Sequence, residues 1–213
     1  MSAAGPTPDP PSAHRLGTHL RATVVFLVVS IVVTGLGYPL LVTVIAQEID
    51  PSAANGSLLR CPNGTVVGSA DIAQNLSSGA LGPGLFWPRP SLTDYNTTLG
   101  AESPPGPSDN ATYWLLYNET KYYLYNLTYN ASPTANLPFW WVAPSASSVD
   151  PDITPGAALV QVARVHANTN LTNATLTELV LDHISQPPLP YLGVPFVNVL
   201  ELDLALLALE GRC

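Results

Sequence analysis

The chain has 213 residues and a formal net charge of −8, and only 10% of it is charged, against roughly a quarter in an ordinary soluble protein. Past residue 46 fourteen acids face five bases (Arg60, Arg89, Lys121, Arg164, Arg212), a balance that argues against nucleic acid as a partner. The length leaves room for a tail, an anchor and one soluble domain able to bury its own core.

Residues 1–12, with four prolines, cannot build a core and read as part of a flexible tail over 1–21. Residues 22–46 (ATVVFLVVSIVVTGLGYPLLVTVIA) contain no charged side chain. A helix of that length reaches roughly 37 Å, enough to cross a hydrocarbon core of about 30 Å. A secretory signal has a shorter apolar region, so the stretch predicts a transmembrane helix. His14, Arg15, His19 and Arg21 precede it, whereas Gln47, Glu48 and Asp50 follow. Excess Lys and Arg mark the cytoplasmic side, so the N-terminus is expected inside and residues 47–213 outside. Ser30, Thr34 and Gly37 fall on one helical face and Pro39 interrupts the hydrogen-bond ladder, a combination that predicts packing against a partner helix in the bilayer.

The outer part carries ten Asn-x-Ser/Thr acceptors among thirteen asparagines: Asn55, Asn63, Asn75, Asn96, Asn110, Asn118, Asn126, Asn130, Asn170 and Asn173. With Ser or Thr at about one position in five, only two or three would arise by chance. None precedes the span, in agreement with the charge asymmetry, and the density predicts a glycoprotein. Cys61 and Cys213 both lie past the span, where a disulfide persists; a pair and two free thiols both stay open, because chain ends fray.

Residues 65–70 predict a short strand, and 77–95 a Gly- and Pro-rich loop in which Trp87-Pro88-Arg89-Pro90 holds an arginine between two stiff residues. Arg89 is a candidate partner contact, its ordinary reading being a loop arginine paired with a carboxylate. Residues 113–127 predict a helix with a seam of Tyr113, Tyr117, Thr120, Leu124 and Leu127, and Asn118, Asn126 and Asn130 opposite. Thr154-Pro155 starts a helix expected to run to His166; a second begins near Thr172 and ends before Pro187. Gln161 and Arg164 share a face of the first, as a partner contact or an exposed polar stripe. Residues 196–199 predict a strand and 200–209 a closing helix, giving an α+β domain. The late apolar stretch 194–209 is a poor span because it carries Glu201 and Asp203.

No catalytic or metal-binding pattern is present: there is no HExxH, GxSxG, CxxC or phosphate loop, and His166 and His183 lie on separate helices. The order of longer motifs is more telling: GYPLLVTVIAQ (37–47), ANGSL (54–58), VVGSADIAQN (66–75), RPS (89–91), DPDITPGAALVQVARV (150–165) and LGVPFVNVLELDLAL (192–206). Together they resemble the C subunit family of the Kdp high-affinity potassium-transporting ATPase. The resemblance implies a non-catalytic assembly and coupling subunit of a cell-membrane complex. Its partners would be a potassium-channel-like subunit, a P-type ATPase subunit and a small membrane peptide. ATP, magnesium and potassium would be used by the complex, with no cofactor bound by this chain. It also implies a role in raising the ATPase subunit's nucleotide affinity, with Gln161 matching a nucleotide-related Gln. Two departures stand out: 97–144 is Tyr- and Asn-rich where the family has a charged helix, and a usual Gly is missing at Ser148-Val149. A membrane-anchored binding or adhesion glycoprotein is the alternative that the acceptor density and aromatic residues allow. The scarcity of charge, with Lys121 the single lysine, predicts a host living in acid, an archaeon by the sugar acceptors.

Overall fold

The computed structural model describes residues 13–76, 82–99, 118, 141, 143–187, 189 and 191–213. It falls into two compact units, Met1–Asn55 and Gly56–Cys213.

The first unit is helical: α1 (Ala13–Val32), a π-helical turn (Val33–Gly37), α2 (Tyr38–Ile49) and the single turn α3 (Pro51–Ala54). Residues Gly17–Ile49 form one run long and apolar enough to cross a membrane, with no residue buried. The run exceeds the charge-free stretch 22–46 at both ends, since nothing in its flanks stops a helix. Its irregularity has a local cause. Pro39 donates no backbone hydrogen bond and its ring crowds the carbonyl of residue 35, so the ladder widens there and Tyr38 N–H reaches Val33 O, five residues back. The helix ends at Asp50, whose side chain accepts from Ala53 N–H and starts α3.

The second unit opens with an antiparallel hairpin of β1 (Leu58–Arg60) and β2 (Val66–Ser69), close to the expected strand at 65–70. Gly64 supplies the positive φ (+84°) its turn requires. A tight turn follows at Gly82–Gly84. Then come β3 (Asp152–Ile153), α4 (Pro155–Leu159), α5 (Val162–Ala167), α6 (Asn173–Asp182), β4 (Val197–Asn198) and α7 (Val199–Leu209). β3 pairs antiparallel with β4, so among the described residues two small sheets and four helices make an α+β unit. The expected helix 113–127 lies outside the described residues, apart from the exposed, helical Asn118.

The helix starts follow side-chain chemistry. Thr154 Oγ1 accepts from Ala157 N–H with Pro155 in the first turn, Thr172 Oγ1 accepts from Thr175 N–H, and Asn198 Oδ1 accepts from Leu200 and Glu201 N–H. The helix expected from Thr154 to His166 is instead two, broken at Val160-Gln161. Gln161 N–H bonds Ala158 O, three residues back, while its side-chain amide donates to Ala157 O, so backbone and side chain divide the carbonyls of one turn.

The core gathers Phe86, Trp141, Val165, Leu176, Leu202 and Leu206, all fully buried. Leu202 and Leu206 lie four apart on the inner face of α7, and truncating either to Ala would cost about 2–5 kcal/mol. Cys61, beside the hairpin turn, is disulfide-bonded to Cys213, with Cα atoms 5.1 Å apart across 152 residues of sequence. In the chain-entropy picture, closing so long a loop contributes about 5 kcal/mol.

Candidate functional site

The polar residues singled out on α5 and at its start turn inward. Gln161 is 0% and Arg164 4% exposed, so the polar stripe is a buried one, aimed at the segment 82–87. Gln161 Oε1 accepts from Trp87 N–H (2.8 Å) and from Arg164 Nη2 (2.7 Å). Its Nε2 donates to Trp87 O and Ala157 O, both at 3.1 Å. Two donors and two acceptor positions are thereby used, the whole capacity of a side-chain amide.

Arg164 lies over the Trp87 ring, 3.6 Å from its centroid, and its Nη1 donates to Pro83 O (2.7 Å) and Leu85 O (2.8 Å). Asp203, from α7, closes the cluster by accepting Phe86 N–H at Oδ1 (2.8 Å). Arg164 Nε and Asp203 Oδ2 are buried without a hydrogen-bond partner. Burial pushes the Asp203 carboxyl well above the usual carboxylate range, against the pull of the Phe86 amide and the Arg164 charge. Burial likewise lowers the Arg164 guanidinium to about 10, with Asp203 opposing. This cluster is a clamp: α5 and α7 hold an irregular, Gly- and Pro-rich segment by its own backbone groups, which would otherwise be buried unpaired.

Arg89 sits apart and half-buried. It is ion-paired with Asp150 (3.1 Å), donates through Nε to Ala143 O and through Nη2 to Pro144 O, and its carbonyl accepts from the Tyr95 hydroxyl. It also lines a groove of about 390 Å³ with Asp152, Ile153, Thr154 and the exposed Val194 and Pro195. Asp152 in this groove has a pKa raised to about 6, first by burial and then by Asp150, Glu201 and Asp71. Its Oδ1 is buried without a partner.

On the apolar helix, Thr34 Oγ1 donates to Ser30 O (2.6 Å), and Ser30, Thr34, Gly37 and Pro39 remain unburied. Of the sugar acceptors, Asn55, Asn63, Asn96, Asn118, Asn170 and Asn173 are exposed and Asn75 is half-buried; Asn110, Asn126 and Asn130 lie outside the described residues. No group of three or more His, Cys, Asp or Glu suited to a metal occurs among the described residues.

Sequence reasoning did not single out Trp87 or Asp203 as parts of a cluster. One of two acids amid apolar residues in 194–209 was the available signal for Asp203, since an acid on the core-facing side of a helix has to find a buried partner.

Comparison with known proteins bears on what this unit serves. The sequence signature of the KdpC family, described as K+-transporting ATPase, c chain, matches residues 20–208. A protein of Burkholderia mallei (strain SAVP1) named potassium-transporting ATPase KdpC subunit is 40% identical over 195 residues, 90% of this chain and 96% of that protein. A protein of the same name from Burkholderia orbicola (strain MC0-3) is 40% identical over 198 residues, covering 91% and 98%. These relatives are bacterial and lend no support to the expected archaeal host.

Proposed function

The chain belongs to the KdpC family, the c chain of K+-transporting ATPases, and from that premise we propose that it is the non-catalytic assembly and coupling subunit of an ATP-driven potassium uptake complex. It is held in the cell membrane by Gly17–Ile49, with the N-terminus cytoplasmic and Gly56–Cys213 outside. Its partners are a potassium-channel-like subunit, a P-type ATPase subunit and a small membrane peptide. Potassium, magnesium and ATP are handled by them.

The observation that carries this reading is the use made of Gln161 and Arg164. The side chains best equipped to hold a ligand are spent on residues 82–87 of the same chain, which favours contact with other proteins over small-ligand binding as the role of the second unit. Any influence on nucleotide affinity then runs through contacts between subunits, because the Gln161 amide has no hydrogen-bonding capacity left for a nucleotide. The Cys61–Cys213 disulfide supports the outside placement, since such bonds persist in oxidising surroundings.

Gentle solubilisation of native membranes followed by identification of co-purifying proteins tests the proposal. A large multi-span protein together with a P-type ATPase is the expected result. Recovery of the chain alone under conditions that keep other complexes intact would favour an anchored binding or adhesion glycoprotein. Protease added to intact cells or spheroplasts should remove most of the chain past residue 55 and spare the tail; protection of the second unit would overturn the topology.

A further inference from the structure

The sugar acceptors differ in the atoms they offer. We propose that the folded chain is N-glycosylated at Asn63 and Asn96, and that Asn55 and Asn75 are not acceptors. This rests on the reading that Gly56–Cys213 faces the exterior.

Transfer requires an amide nitrogen that is free and a hydroxyl residue two positions on that can be reached with it. Nδ2 attacks the anomeric carbon of an oligosaccharide carried on a lipid phosphate. A C–N bond forms as the C–O bond to phosphate breaks, one amide proton passes to a base of the transferase, and the lipid phosphate departs. An Nδ2 already donating inside the fold has to lose those bonds first.

Asn63 and Asn96 meet both requirements. Each is exposed, and each turns Oδ1 back onto the residue two positions on: Thr65 N–H donates to Asn63 at 2.9 Å, and Thr98 N–H donates to Asn96 at 2.9 Å. Thr98 Oγ1 donates to the same Asn96 oxygen (2.7 Å), so hydroxyl and amide share one surface turn. The carboxamide is thus fixed by its oxygen, and neither Nδ2 makes a hydrogen bond to the described residues. At Gly64 there is open space beside the backbone, which leaves the Asn63 turn approachable.

Asn55 and Asn75 fail on the same atoms. Asn55 Nδ2 donates to Pro51 O (2.6 Å) and Gln47 Oε1 (3.1 Å), and it lies six residues beyond the end of α2 at Ile49. Asn75 is half-buried and its Nδ2 donates to Asp94 Oδ1 at 2.6 Å. Asn170 and Asn173 are intermediate. Their amides are exposed, but the hydroxyls of Thr172 and Thr175 lie 2.9 Å apart and Thr172 caps α6, which makes them poorer acceptors.

Glycopeptide mapping by mass spectrometry on the chain purified from its native membranes reads the occupancy of each acceptor. Glycan on Asn63 and Asn96, with Asn55 and Asn75 bare, is the expected pattern. N63Q and N96Q should each remove one glycan's mass from the intact chain, while N75Q should leave that mass unchanged. Bare Asn63 and Asn96, or equal occupancy at Asn55 and Asn75, would overturn the assignment. Protease treatment of intact cells, run alongside, separates the causes. No glycan on a unit that protease removes overturns the sugar proposal alone, whereas no glycan on a protected unit overturns it together with the topology.

Discussion

Ser148 occupies a left-handed backbone conformation, with φ of +60°, and is buried with no hydrogen-bond partner for its hydroxyl. A side chain at positive φ costs about 1 kcal/mol, and an unpaired buried hydroxyl adds to it. Ser148→Gly should therefore raise stability by about 1 kcal/mol, or about 3 °C in Tm, even after the greater backbone freedom of Gly in the unfolded chain is counted. A fall in Tm on that substitution would mean the hydroxyl has a role the fold does not reveal. Gln161 is the opposite case, a residue whose every polar atom is engaged. Gln161→Ala strands the Trp87 N–H and one Arg164 donor, and should cost about 3 kcal/mol in thermal or denaturant unfolding. An unchanged unfolding midpoint with a weakened complex would place Gln161 at a partner instead. How much of this could be read from sequence depends on the range of the interaction. The caps at Thr154 and Thr172 were legible because each bonds an amide three residues away. The inward aim of Gln161 was not, because its partner Trp87 lies 74 residues away and no periodicity carries that information. Pairing of Cys61 with Cys213 stayed open because Cys213 sits at a chain end, where fraying is common.

Among elements, the apolar helix was the most legible, since length and absence of charge suffice to define it, while its π-helical turn was foreseen only as a kink at Pro39. The turn has a consequence for testing the proposed helix packing. A Cβ built on Gly37 would come no closer than 3.7 Å to Val32 O, an ordinary contact, so a side chain there does not strain the helix itself. Gly37→Leu should then act only through what lies outside the helix. If Ser30, Thr34 and Gly37 face a partner helix, the substitution keeps the partner's backbone at a distance and lowers recovery of the assembled complex. Val28→Leu, a change in bulk on the side of the helix opposite Ser30 and Gly37, should leave recovery nearly unchanged. Equal losses from the two substitutions would make the packing proposal untenable.

At the scale of the molecule, charge is scarce and the carboxyls with shifted pKa values move in one direction. Asp152 is raised to about 6 by burial and by Asp150, Glu201 and Asp71, and Asp203 is raised by burial. A carboxyl with a folded pKa above its unfolded one binds its proton more tightly when folded, so protonation stabilises the fold. For Asp152 that gain begins as pH falls through about 6 and is complete below its unfolded value near 4; above 6 the charged form bears the cost of burial and repulsion. Discounted for the half of the group that water still screens, it amounts to about 1 kcal/mol between pH 7 and pH 4. Most proteins lose stability over this interval because paired carboxylates are neutralised. Among the described residues few pairs exist to lose, and the five bases past residue 46 leave little positive charge to repel as the acids neutralise. Thermal unfolding of the intact chain in detergent should thus show Tm rising from about pH 7 to about pH 4 and holding to about pH 3. Asp152→Asn should flatten the rise, since the amide occupies the same space without titrating. A Tm that falls steadily from pH 7, or a wild-type rise that persists unchanged in Asp152→Asn, would remove Asp152 from the account of how this unit responds to acid.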